Sequence, residues 1–167
     1  PEAATSLDEV VVAVLDNGVD ASNPDLAPVM WSWNDCSDAT KAQLQDILGA
    51  DEHGFSAGAS GTTSTTGIAN YHGTHVAGII GAEWNGMGTS GIAPNASILS
   101  VRHDDTLSGI LRCLDYLDAA RYAGVPVEVV NNSWTMGQPQ WRSIDLAITA
   151  IGERGITSVF GVGNSAR

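Results

Sequence analysis

Val10-Val11-Val12-Ala13-Val14-Leu15-Asp16-Asn17-Gly18 is the stretch that decides the fold class. Six apolar residues run without alternation and stop at a carboxylate followed by an Asn-Gly turn. A short, continuous, Val-rich run reads as a strand covered on both faces, the environment of a parallel sheet. Residues 96–101, 127–130 and 156–162 repeat the pattern. Between them lie helical periodicities. Leu107, Ile110, Leu111, Leu114 and Leu117 recur at helix spacing until Gly124 and Pro126 stop them, and Ile144, Ile148 and Ile151 do so before Gly155. A further helix is predicted through Val76, Ala77, Ile79 and Ile80. Strands alternating with helices imply an α/β domain with a mostly parallel sheet flanked by helices.

Residues 30–70 break the alternation. They hold a small helix candidate (Leu44, Ile47, Leu48, closed by Gly49) and a Gly/Ser/Thr tract over 56–67, and they read as a surface insertion. Asp35, Asp38, Asp46, Asp51 and Glu52 within it read as a solvated acidic face.

The remaining composition narrows the function. The chain has 167 residues, enough for one domain that buries roughly 70% of its unfolded surface. Hydrophobic residues make up 43% and charged residues 16%, which suits a packed core. Nineteen acidic against seven basic residues give a net charge of -12. That excess repels nucleic acid and anionic membrane surfaces and suits cationic ligands. No apolar run approaches the roughly 20 residues of a membrane span, and the first residues show no signal peptide. Cys36 and Cys113 allow one disulfide or none.

Parallel sheets gather ligands beyond the carboxyl ends of their strands. The exits here are Asp16-Asn17-Gly18, Asn131-Asn132-Ser133-Trp134 and Gly161-Val162-Gly163-Asn164. Asp16 is a turn former or a carboxylate held by rigid backbone. His72, in Tyr71-His72-Gly73-Thr74-His75-Val76-Ala77-Gly78, stands where a loop meets a helix and suits a neutral base.

The two segments together resemble the aspartate and histidine segments of the subtilisin-like serine proteases. Asn23-Pro24-Asp25-Leu26 extends the first, and Gly91-Ile92-Ala93-Pro94 is similar to the turn after the second. Asn131 to Trp134 is similar to the strand on which the family binds peptide. Phe160-Gly161-Val162-Gly163-Asn164 resembles its oxyanion-hole segment. The resemblance spans nearly the whole chain in the family's order and implies the three-layer subtilisin-like fold, incomplete here. It implies that Asp16 orients and stabilises the imidazole, that His72 is the general base, and that Asn164 donates to the tetrahedral oxyanion. His75 would be structural. Ser133, Trp134 and Thr135 would pair with an extended peptide, while Gly161, Val162 and Gly163 would wall the pocket before the scissile bond. Thr135 stands where the family commonly has glycine. Asp25 and Asn85 match positions that bind structural calcium in the family.

The family's nucleophilic serine lies in a Gly-Thr-Ser segment well beyond the oxyanion asparagine. The chain is therefore expected to be the N-terminal part of a catalytic domain, inactive alone, with its serine on a complementary C-terminal fragment or a missing segment. Cleavage after Arg167 is one of the two sources of such a fragment, and secretion and a propeptide are expected with it. Gly88-Thr89-Ser90-Gly91 imitates the serine motif, but Pro94 and a strand follow where a helix is needed. A dinucleotide site at 161–166 and a zinc site on His72 and His75 are weaker readings. Asn95 and Asn131 sit in glycosylation acceptor patterns. Asp104 and Asp105 either cap a helix or reach the groove and favour basic side chains. The rival reading, of a different class, is a catalytically inactive module that holds peptides on residues 133–135.

Overall fold

The computed structural model describes residues 10–48, 51–58, 63–66, 71–135 and 141–164. They form a five-stranded parallel sheet in the order β2-β3-β1-β4-β5. The strands are β1 (Val10–Asp16), β2 (Gly54–Ser56), β3 (Ala96–Arg102), β4 (Val127–Asn132) and β5 (Thr157–Phe160). The helices are α1 (Asp38–Leu48), α2 (His72–Gly81), α3 (Leu107–Tyr122) and α4 (Arg142–Glu153).

The central strand shows how the layers are built. Successive side chains of a strand point to opposite faces. Val11, Ala13 and Leu15 of β1 enter one buried cluster with Ile110, Leu114 and Leu117 of α3 and Ile144 and Ile151 of α4. Val12 and Val14 enter a second cluster with Ala77 of α2 and Ile98 of β3. Asp16 is next in the second series, so the period of two directs it toward the α2 side. Burying a side chain of Val or Leu size stabilises by about 1.5–3 kcal/mol, so a register slip that reversed these faces would be costly.

The predicted strands and helices are present with shifted ends. β1, β3 and β4 run one or two residues further, through Asp16, Arg102 and Asn132, while β5 is confined to Thr157–Phe160. α2 begins at His72, where the sequence places the meeting of loop and helix, and runs through Val76, Ala77, Ile79 and Ile80.

The segment 30–70 departs further from its reading as surface. Trp31, Leu44 and Ala57 are buried in the α3-side cluster, and Gly54–Ser56 adds an edge strand beside β3. A three-residue strand has too little apolar signal to be read from sequence. A Cβ on Gly54 would collide with Ser100 O, so the close approach of β3 requires glycine there. Asp51 is buried rather than solvated, and its Oδ2 accepts the Ser64 amide at 2.5 Å. Asp35, Asp38 and Glu52 are exposed as expected. Asn34 and Ser32 donate to Glu52 and hold its carboxyl below the usual range. Gly49, residues 59–62 and 67 of the Gly/Ser/Thr tract, and the following residues 68–70 lie outside the described residues. So does the side chain of Asp46.

Cys36 and Cys113 are both thiols, not joined in a disulfide. Cys113 lies in the α3 core, where burial pushes its thiol up to about 12. Burial also raises the Tyr116 hydroxyl, whose oxygen has no hydrogen-bond partner among the described residues.

Candidate active site

Asp16 ends the central strand with its carboxylate almost fully buried. His72 is the first residue of α2. Its Nδ1 lies 2.9 Å from both Asp16 Oδ1 and Oδ2. A proton on Nδ1 donated to the carboxylate places the imidazole lone pair on Nε2. Half of the His72 side chain is open to solvent. The ring is thus anchored at Nδ1.

Neighbouring groups fix this pair. The Asn17 amide donates to Asp16 Oδ1 at 2.8 Å. The Asn17 side-chain oxygen accepts from Gly73 N–H at 3.0 Å, satisfying a donor that the first turn of a helix leaves open. Tyr71, the N-cap residue, makes no side-chain cap of its own. Thr74 Oγ1 accepts from Asp20 N–H at 2.9 Å, a second stitch between the β1 exit and α2. A Cβ on Gly73 would strike Gly18 O, so only glycine lets the helix start come this close. The sequence marks Asn17 as a turn former and gives no sign that it caps a helix 56 positions away.

The other exits line up beside this corner. Val14 is in register with Asn131, and Asn131 with Val159. Asn132 is in register with Phe160, and Ser133 and Gly161 follow at the two exits. Gly161 N–H donates to Asn132 O at 3.0 Å, which keeps the β5 exit against the β4 exit. The Cβ position of Gly163 is 3.5 Å from Thr135 Cγ2, so residues 161–163 face residues 133–135. Asn131 Nδ2 donates to Ser133 Oγ at 2.9 Å. The Trp134 ring meets Phe160 edge-on at 6.0 Å and His103 at 5.9 Å. His103 carries no signal in the sequence, yet its N–H donates to Asp16 O at 3.0 Å. Gly161, Val162, Gly163 and Asn164 are all exposed.

Asp25 and Asn85 lie on adjoining loops. Asp25 Oδ2 accepts from Thr89 N–H at 2.8 Å and Thr89 Oγ1 at 3.2 Å, and Asn85 Oδ1 accepts from Met87 N–H at 2.9 Å. These hard oxygens fit calcium in type, but two side chains fall short of the six to eight oxygens it takes. Among the described residues no three His, Cys, Asp or Glu side chains are grouped to hold a metal, which leaves the zinc reading of His72 and His75 without support. Ser90 is exposed on the loop after α2, on a cleft of about 600 Å³ that also includes Tyr71, His75 and Ile79. Thr106 caps α3, its Oγ1 accepting from Gly109 N–H, and Asp104 supports that cap: its Oδ1 accepts from Thr106 N–H and Oγ1, and those bonds hold its carboxyl below the usual range.

The chain's likeness to known proteins agrees with this geometry. The model of the Peptidase S8, subtilase family matches residues 8–167. The chain belongs to the subtilase family. It is 32% identical to the extracellular protease of Xanthomonas campestris pv. campestris, over 93% of this chain and 29% of that protein. It is 33% identical to the minor extracellular protease Epr of Bacillus subtilis, over 77% of this chain and 22% of that protein. A solved protease of Pseudoalteromonas arctica superposes with a TM-score of 0.61 at 27% identity, covering 93% of this chain and 50% of that one. MycP1 with its N-terminal propeptide removed shares the fold, with a TM-score of 0.60 at 22% identity, covering 95% of this chain and 44% of that one. The chain thus spans less than a third of the length of the Xanthomonas and Bacillus proteases.

Proposed function

We propose that this chain supplies the acid, the base and an oxyanion donor of a serine endopeptidase that cleaves peptide bonds through an acyl-enzyme. The observation that carries the reading is the His72 Nδ1 contact with both oxygens of a buried Asp16. In that arrangement His72 Nε2 takes the proton from a serine hydroxyl as the hydroxyl oxygen attacks the scissile carbonyl. The imidazolium then gives the proton to the leaving amine. Water repeats the sequence to release the acid. Asp16 holds the ring in the productive tautomer and stabilises its cation. The Asn164 side-chain amide donates to the oxyanion. Substrate runs along Ser133, Trp134 and Thr135, with Gly161, Val162 and Gly163 as the facing wall.

The serine in this reading comes from polypeptide outside these 167 residues, on a C-terminal segment or a second chain. Tyr71, Ile79 and Ile92 are exposed about α2, and Val159, Phe160 and Val162 are exposed at the end of the sheet. These apolar surfaces are what that polypeptide would cover. Secretion fits the reading, since two similar proteins are named extracellular proteases, and a propeptide fits it, since MycP1 was solved with its own removed. No helix among the described residues is long and apolar enough to cross a membrane. A calcium ion would be held by Asp25 and Asn85 and would supply rigidity, so chelation should lower Tm; an unchanged Tm removes the ion from the reading.

The deciding experiment is His72→Ala in the intact protein, assayed on peptide substrates and with a fluorophosphonate probe. Hydrolysis should fall by about 10⁴-fold or more, the upper range for removing a general base. Undiminished hydrolysis rules the assignment out. A native protein in which no serine is labelled and no peptide is cut is a binding module instead.

A further inference from the structure

Two asparagine–glycine pairs occur in the chain, Asn17-Gly18 and Asn85-Gly86. In such a pair the glycine nitrogen can attack the asparagine Cγ, because no Cβ shields it and the glycine backbone bends freely enough to close a five-membered ring. The fold treats the two pairs differently. Asn17-Gly18 is locked. The Asn17 side-chain oxygen accepts from Gly73 N–H, which turns the amide toward α2. Asn17 is half-buried and Gly18 buried. The next residue holds the backbone still, since Val19 N–H donates to Ser64 O at 2.9 Å and to Ser100 Oγ at 3.1 Å.

Asn85-Gly86 is open. Both residues are exposed, and Gly86 stands at φ 79° with nothing within 4 Å of where a Cβ would be. Asn85 Oδ1 accepts from Met87 N–H at 2.9 Å. That bond folds the side chain back over the Gly86 peptide and draws electrons from Cγ. Asn85 Nδ2 donates to Glu83 Oε2 at 3.1 Å. The loop is pinned at both ends to Asp25: Glu83 N–H donates to Asp25 O at 3.0 Å and Thr89 N–H to Asp25 Oδ2 at 2.8 Å. The pair is therefore held bent, with its amide turned onto the following backbone and water on all sides.

We infer that Asn85 is a site of spontaneous modification by water through a cyclic imide, and that the fold protects Asn17 from the same fate. The Gly86 nitrogen gives its proton to solvent base and bonds to Asn85 Cγ. The Cγ–Nδ2 bond breaks, and the nitrogen leaves with the electron pair as ammonia, taking up a proton. Water then opens the imide at Cγ to give aspartate, or at the main-chain carbonyl to give isoaspartate. Water has replaced ammonia, nothing is oxidised or reduced, and one negative charge is gained. In the aspartate product Oδ1 still serves Met87, but the donor to Glu83 has become a second carboxylate.

The test holds the intact protein in mildly alkaline buffer with EDTA and protease inhibitors, then maps its peptides by mass spectrometry. Asn85 should be half converted while Asn17 is intact, and isoaspartate at position 85 should accept a methyl group from isoaspartyl methyltransferase. In denaturant both asparagines should convert. Asn85→Gln, which would need a six-membered ring, should stay unconverted. Conversion of Asn17 as fast as Asn85 in the folded protein overturns the inference. So does an Asn85 that persists for as long as the denatured chain needs to convert. Asn85→Asp installs one product directly and should lower Tm by about 1–3 °C, the size of a lost exposed contact and a new like-charge pair. Glu83→Gln in the same protein should restore it. A Tm that Asn85→Asp leaves unmoved overturns the consequence drawn for Glu83.

Discussion

The corner where β1 meets α2 and the corner where β4 meets β5 stand on one edge of one sheet, yet they differ in completeness. At the first, each group has its complement within the chain. Asp16 is buried against His72, Asn17 closes the helix start, and Gly73 allows the close fit. At the second, Gly161 to Asn164 and much of Phe160 are open to solvent. Trp134 Nε1, Asn132 Oδ1 and Ser158 Oγ are buried there without a hydrogen-bond partner among the described residues. Buried polar atoms are nearly always paired in native proteins. The contrast is between a pair whose neighbours along β1 and α2 fix it and a corner that keeps buried polar atoms without partners among the described residues.

The comparison breaks first at its stronger end. Asp16→Asn preserves shape but allows the imidazole its other tautomer, and kcat of the intact protein should fall by about 10⁴-fold. Steady-state peptide hydrolysis measures it, and a loss below tenfold would mean that the corner is structural only. Asn164→Ala removes one donor from the less finished end. It should cost about 10²–10³ in kcat with little change in KM, because the bond forms to charge that appears only in the transition state. A change confined to KM would place Asn164 in substrate binding instead. The smallest effect sharpens the contrast. Ser158→Ala in the intact protein should lower stability by about 1 kcal/mol if further polypeptide pairs the hydroxyl. Denaturant unfolding reads it, and a gain in stability would show Ser158 Oγ to be an orphan in the whole protein as well.

What the sequence reveals follows the same division. β1, β3 and β4 are legible because residues buried on both faces must be apolar throughout, and Asp16 is legible because a polar residue follows such a run at its exit; His72 is legible from its place at a loop-to-helix junction and from the family resemblance of Tyr71 to Gly78. β2 is not legible: Gly54-Phe55-Ser56 owes its extended form to the neighbouring β3 backbone and not to its own side chains. Burial of Asp51 is equally hidden, since it depends on a Ser64 amide 13 positions away. Asp104 and Asp105 look alike as letters, and only the hydroxyl and backbone of Thr106 tell them apart. His103 is hidden because its connection to Asp16 is through the main chain, which leaves no mark on residue type.

The Asn17 bond to the Gly73 amide reaches beyond the chemistry. It welds the two ends of a long excursion, so its length is uncoupled from the spacing of acid and base. Between those ends Trp31, Leu44 and Ala57 enter the core and β2 joins the sheet, so any sequence grafted into the excursion has to leave these anchors in place.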